Sequence, residues 1–376
     1  MQLQKKDRAA AAAATTTLEG FVEPTAVKLR RSEARRAVHA DLVAQIGVQD
    51  CAQVLDLFRP PTEELRAMAD TTATSAANDI SSAMPIGIKE MLRGKRASEI
   101  NSYKGIRAFF SLCGENICRL LSRRGLTDDV WRIVAASSSN YAPQGQDDST
   151  RPDIVLLLHK ASAEPPQVNR PAFDSIFTAV EVKKERGESI ATLSQAAGYV
   201  RHILLCQHKR RFGLCLVWCG ADIYLVIFGP DNIWSSTAMD ISRKEGCQAF
   251  ISLLVDWSLC PSDRLGFDPS IRYVLGKTAG DTYLEIDVYE VDESTSRVGR
   301  RTYYSKECID TFFHLAGPHA RYFAAAPSLE SIDTPTLRIK DSWIPMSSDR
   351  TDDHFLDVIH KNFGNSSEFS GSFPWL

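Results

Sequence analysis

The pair Pro152-Asp153 opens the apolar run Ile154-Val155-Leu156-Leu157-Leu158, and Glu181-Val182-Lys183 closes a second run, Ile176-Phe177-Thr178-Ala179-Val180. Both runs read as strands. Residues two apart on a strand project to the same face, so Glu181 and Lys183 share a surface from which Val182 points away. With Asp153 supplied by a neighbouring strand, two carboxylates and one ammonium converge, which is the minimal set for metal-assisted phosphodiester hydrolysis. The plainer reading of the same residues is an edge strand with a solvated, charged end, since short motifs recur by chance.

A chain of 376 residues with 44% hydrophobic content is long enough for two or three domains. A net charge of -3 and a pI near 6.3 exclude a broadly basic nucleic-acid binder, so any such binding must come from a local patch. Nine cysteines sit mostly inside apolar segments without paired metal-ligand spacing. They read as reduced, buried thiols, and with no secretory leader ahead of them the expected compartment is intracellular, nucleus or cytoplasm. The longest apolar stretch, Phe212 to Phe228, is broken by Gly220 and Asp222. It reads as two strands joined at Cys219-Gly220-Ala221-Asp222, and no membrane association is expected.

Along the chain, residues 1–18, with six consecutive alanines, read as a disordered tail, and 19–95 as a helical region to which no chemistry is assigned. A domain is expected over 96–265. In it, Ile106, Phe109, Phe110, Cys113, Ile117 and Leu121 recur at helical spacing over Asn101 to Arg124, with Gly125 placed to stop the helix. Strands follow at Val130 to Ala136, from Asp153, and up to Lys183. Then come a helix from Glu188 to about Gln207, strands around Leu214 to Val217 and Tyr224 to Phe228, and a helix from Asp240 to Leu259 with Phe250, Leu253, Leu254 and Trp257 buried. Pro261 and Gly266-Phe267-Asp268-Pro269 mark a boundary, after which 266–376 forms a new unit opening with a strand at Tyr283 to Val291. This order suits a mixed sheet flanked by helices.

Asp153, Glu181 and the Val182 carbonyl are hard oxygen ligands suited to Mg²⁺, which keeps water in its remaining positions. Lys183 is placed to orient the attacking water and to offset charge in the transition state. Gln195, Tyr199 and His202 share one face of the following helix, where a glutamine and a tyrosine can position a phosphate. For Tyr199 taken alone, an ordinary amphipathic helix is the favoured reading. His208-Lys209-Arg210-Arg211 is the one compact basic run, and it is a candidate contact for a nucleic-acid backbone or else a solvated loop.

Asp153 with Glu181-x-Lys183, in this order of elements, resembles the PD-(D/E)XK nuclease superfamily. The resemblance implies a restriction-endonuclease-like α/β core, an acidic pair binding Mg²⁺, a catalytic lysine, and Gln195 and Tyr199 on the helix after it. The longer series Pro152-Asp153, Glu181-Val182-Lys183, Gln195 to Tyr199, Gln207 to Arg211, Gly299-Arg300-Arg301-Thr302 and Lys340-Asp341-Ser342-Trp343 is similar to the fungal-type protein kinase family. That likeness implies a nuclease-like region followed by an incomplete kinase N-lobe-like part. In that part Gly299 and Thr302 are a remnant of the nucleotide loop, and Lys340 is the strand lysine facing ATP phosphates.

Arg301 stands where the family pattern has glycine, and Asp352 or Asp353 would replace the usual helix glutamate. The residues after Lys340 contain neither an HRD-like nor a DFG-like motif, so a complete kinase is not expected. Three functional readings follow: a Mg²⁺-dependent nuclease, a non-catalytic module binding nucleic acid or protein, and a fragment of a longer kinase.

Overall fold

The computed structural model describes residues 46–85, 88–90, 99–126, 130–137, 143, 151–163, 171–229, 232–276, 281–292, 297–313 and 319–343. All of them fall within one compact unit, Val38–Leu376. The expected tail over 1–18, the first part of the helical region and Asp352 and Asp353 lie outside the described residues.

The first sheet runs in the order β1-β7-β6-β5-β4-β3-β2, with β8 paired to β6. Its strands are β1 (Ile46–Gln49), β2 (Trp131–Ser137), β3 (Ile154–Lys160), β4 (Thr178–Lys183), β5 (Gly213–Cys219), β6 (Asp222–Phe228), β7 (Ile233–Ser236) and β8 (Met239–Asp240). β4 and β5 are parallel, as are β1 and β7, and the other pairs are antiparallel. A parallel pair needs a crossover, and helix α4 (Ile190–Cys206) provides it. All seven residues of β5 are buried, because this central strand is covered on both faces. Gly220, with φ +62, makes the tight turn into β6 that the sequence predicts.

One face of the sheet is covered by α3 (Glu99–Ser122) and α5 (Lys244–Leu259), on which α2 (Glu63–Ala83) packs, with the short α1 (Cys51–Asp56) beside them. The predicted apolar stripe of α3, from Ile106 to Leu121, is fully buried. Phe109 and Phe110 meet Trp218 and Phe250 edge-on or stacked at 5.8 to 6.2 Å. α3 lies close against β2 because Gly114 has no side chain: a Cβ there would stand 2.4 Å from the Ile133 carbonyl oxygen. Gly125, with φ +83, ends the helix as its sequence position predicts. The opposite face is covered by α4, whose Leu193, Ala196, Ala197, Val200 and Ile203 pack on Val155, Ala179, Cys215 and Val226.

Two sequence expectations change. The segment read as wholly helical contributes strand β1, because Ile-Gly-Val-Gln carries no periodicity of its own and takes its conformation from pairing with β7. Val54, Phe58, Ala69 and Ile80 of that segment join the same core as Phe250 and Leu254. The helix expected from Asp240 starts at Lys244. Asp240 pairs in β8 and accepts from the Ser242 N–H at 3.0 Å, a local turn that competes with helix. None of the nine cysteines forms a disulfide, and six are buried. No described helix is long and apolar enough to cross a membrane.

The second sheet is an antiparallel meander of β9 (Ile271–Leu275), β10 (Thr282–Asp292), β11 (Arg297–Phe313), β12 (His319–Ala326) and β13 (Leu337–Trp343). Its small core is Ile271, Leu284, Ile286 and Phe323.

Candidate active site

β3 and β4 are antiparallel with Ile154 opposite Val180, a register that carries Asp153 to the strand end beside Glu181. The Val182 N–H donates to Asp153 Oδ2 at 2.8 Å, tying the aspartate to the backbone of the glutamate strand. Glu181 is 2% exposed. Its Oε1 accepts from the Lys183 ammonium at 2.5 Å and its Oε2 from the Tyr199 hydroxyl at 2.7 Å. The structure therefore brings together Asp153, Glu181, Lys183 and Tyr199. Gln195 is exposed, although it lies one turn before Tyr199 on the same helix.

Burial, and next the negative charge of Glu181, push the Asp153 carboxyl up to about 6. The Val182 N–H, the Tyr103 hydroxyl and Lys183 pull the other way. Tyr103 is a contact that sequence reasoning missed. It comes from α3, and its only sequence signal is a tyrosine at the start of an otherwise apolar stripe. Burial, followed by the charge of Glu181, raises the Tyr199 hydroxyl far above the usual phenol range, so Tyr199 is a hydrogen-bond donor at every physiological pH.

The donor set fits a hard divalent cation. Two carboxylates crowd each other enough for one to raise the other's pKa, a repulsion that positive charge between them relieves, and water fills the remaining positions of Mg²⁺. Among the described residues no group of three His, Cys, Asp or Glu side chains is arranged as a metal cage.

The basic run does not form an exposed rim. Arg210 is wholly buried, its guanidinium 4.4 Å from the Phe267 ring centroid and 5.5 Å from that of Phe177, and its Nη2 donates to the Phe177 carbonyl at 3.0 Å. Arg211 makes two bonds to Asp268, at 2.9 and 3.0 Å. The Lys209 ammonium lies 5.1 Å from the rings of both Phe267 and Tyr273. Arg321 of β12, itself buried, donates to the carbonyls of His208 and Arg210. The run His208 to Arg211 is thus a latch between the two sheets. The segment Gly266 to Asp268 docks against it through the Arg211 N–H to the Gly266 carbonyl at 2.7 Å and the Asp268 N–H to the Lys209 carbonyl at 2.6 Å.

On the second sheet, Gly299 of β11 is opposite Glu290, and the Thr302 hydroxyl donates to Asp287 at 2.8 Å. Lys340 of β13 is opposite Tyr322, which in turn is opposite Asp310 near the far end of β11. The strand register does not set Lys340 beside Gly299 and Thr302.

An eight-stranded mixed sheet flanked by helices, carrying an acid, acid and lysine at adjoining strand ends and joined to an antiparallel meander, defines an α/β protein of two sheets. The chain belongs to the fungal protein kinase family, whose model matches residues 151–364, a span that begins just before Asp153 and runs through both sheets. No curated protein matches the chain, and no solved structure does.

Proposed function

We propose that Asp153, Glu181, Lys183 and Tyr199 form a PD-(D/E)XK-like centre that hydrolyses phosphodiester bonds of nucleic acid with Mg²⁺. The observation that carries this reading is the pairing of Asp153 with the Glu181 strand through the Val182 N–H at 2.8 Å, on the side of the sheet from which Tyr199 reaches Glu181. Asp153, Glu181 and the Val182 carbonyl would hold the ion, which when bound supplies Lewis-acid polarisation of the phosphoryl oxygen. Tyr199 fixes the rotamer of Glu181. The Lys183 ammonium, bonded to Glu181 Oε1 on a side chain that is 37% exposed, orients water and offsets charge on the phosphoryl group.

The test is cleavage of single- and double-stranded DNA and RNA by the purified full chain with Mg²⁺ or Mn²⁺. Activity that falls at least about a hundredfold in Lys183→Ala and in Asp153→Asn is the expected result, on the scale of losing a positioned catalytic group. Absence of metal-dependent cleavage on every substrate overturns it. A non-catalytic binding module is favoured by one observation: both Glu181 oxygens are already engaged, by Lys183 and by Tyr199. Salt-sensitive binding that survives Glu181→Gln without any cleavage is the signature of that alternative.

A further inference from the structure

The residues best placed to hold a polyanionic backbone are not those of the compact basic run. That run is spent on the junction between the sheets, with Arg210 wholly buried. Four other basic residues lie next to the acidic pair in the chain or on α3, which reaches Asp153 through Tyr103. Tyr103 bonds to Asp153, which sets the first turns of α3 at the site. Lys104 is its neighbour, and Arg107 lies one turn on, about 5.4 Å along the helix axis. Arg151 is two residues before Asp153, within about 7 Å of chain, and Lys184 follows Lys183. All four side chains are exposed, and among the described residues none has an ion-pair partner. Arg186, by contrast, is held by Asp222 and Asp240 at 3.1 and 2.7 Å.

We propose that Lys104, Arg107, Arg151 and Lys184 form a phosphate-binding rim that seats a nucleic-acid strand over Asp153 and Glu181. The proposal rests on the phosphodiester reading above and adds where the substrate lies. The rim draws on both α3 and the two strand ends, so the strand crosses the sheet end where β3 and β4 meet. Each of these cations that neutralises a phosphate releases a counterion condensed on the nucleic acid, which makes binding salt-dependent in proportion to the number of contacts.

The experiment measures binding of fluorescent single- and double-stranded oligonucleotides to the full chain by anisotropy, in EDTA, over a series of salt concentrations. The variant neutralises all four positions to glutamine, and a second carries only Lys104→Gln and Arg107→Gln. Lys306→Gln, on the second sheet, is the control. The expected result is a loss of affinity of at least about tenfold at moderate salt. The slope of log K against log salt becomes shallower by about 3 for the fourfold variant and by about half of that for the double variant. No effect is expected in the control. An unchanged slope in both variants, or equal loss in the control, overturns the rim. Cleavage with an unchanged slope sinks the rim and leaves the chemistry standing. Rim-dependent binding without cleavage under Mg²⁺ supports the rim and sinks the chemistry.

Discussion

Tyr199 donates its hydroxyl hydrogen to Oε2 of Glu181 at 2.7 Å, joining the helix that crosses between two parallel strands to the carboxylate at the end of one of them. Glu181 is almost wholly buried, and burying an ionised carboxylate is costly unless its oxygens are bonded. Tyr199 and Lys183 satisfy them, one from inside the fold and one from its surface. The site is built so that its deepest charge is held by a group that does not ionise.

Tyr199→Phe removes that bond and leaves Glu181 Oε2 inside. A hydrogen bond to a charged group contributes about 1.5–3 kcal/mol. The variant is expected to lose stability in that range in urea titrations monitored by circular dichroism, with an unchanged m-value.

Arg321 and Arg210 are both buried cations of the latch, yet they are expected to respond in opposite ways. Arg321→Met strips donors from the carbonyls of His208 and Arg210, and each buried carbonyl left unbonded costs about 1–3 kcal/mol. Arg210 has Nε and Nη1 without partners, and burial pushes its pKa down to about 9. Arg210→Met takes one donor, Nη2, from the Phe177 carbonyl but also removes a buried charge without a counter-ion among the described residues, and exchanging buried charge for a well-packed apolar side chain is often neutral or stabilising. Thermal melts should therefore show a lower midpoint for Arg321→Met and an unchanged or higher one for Arg210→Met.

Asp256 lies 1% exposed in α5, with Oδ1 unpartnered and Oδ2 3.6 Å from Arg59. Burial, opposed by Arg59, pushes its carboxyl up from 3.8 to about 7. A folded-state pKa above the unfolded one means the fold binds the proton more tightly. The contribution of Asp256 to stability therefore falls as pH rises from about 4 to about 7 and is flat above that. At about 1.4 kcal/mol per unit the full effect has a ceiling of about 4 kcal/mol. Asp256→Asn should flatten the pH dependence of unfolding over this window and be more stable than the parent, relative to pH 5, at pH 8.

Gly114→Ala tests how closely α3 is seated. The added methyl would stand 2.4 Å from the Ile133 backbone oxygen, which has no flexible end to move. Overpacking of this kind costs about 1–3 kcal/mol. Helix propensity favours alanine by about 1 kcal/mol, which offsets part of that cost, so a net loss of stability in denaturant titration is expected and a net gain would contradict the close approach.

Much of the architecture was legible because it is written in short-range periods. The α3 stripe from Ile106 to Leu121, the stop at Gly125, the paired strands around Gly220 and the Phe250 to Trp257 stripe all follow from spacings of 3.6 or 2 residues. The candidate residues Asp153, Glu181 and Lys183 were legible as charges at the ends of apolar runs. Gln195 and Tyr199 share a spacing but not a fate, since one is exposed and the other buried. Periodicity gives the face of a helix, not where the helix overhangs the sheet beneath it.

By itself the sequence determined the strands and helices that carry the candidate site, their apolar faces, and which charged residues lie at strand ends, because local sterics and side-chain alternation act within a few residues. Only the tertiary structure decided that Asp153 sits against Val182, that Tyr103 reaches it from α3, and that Arg210 is a core residue instead of a surface cation. Those outcomes depend on strand register and on which segment docks over another, and both are set by the free energy of packing the whole chain, on which a run of residues read alone carries no information.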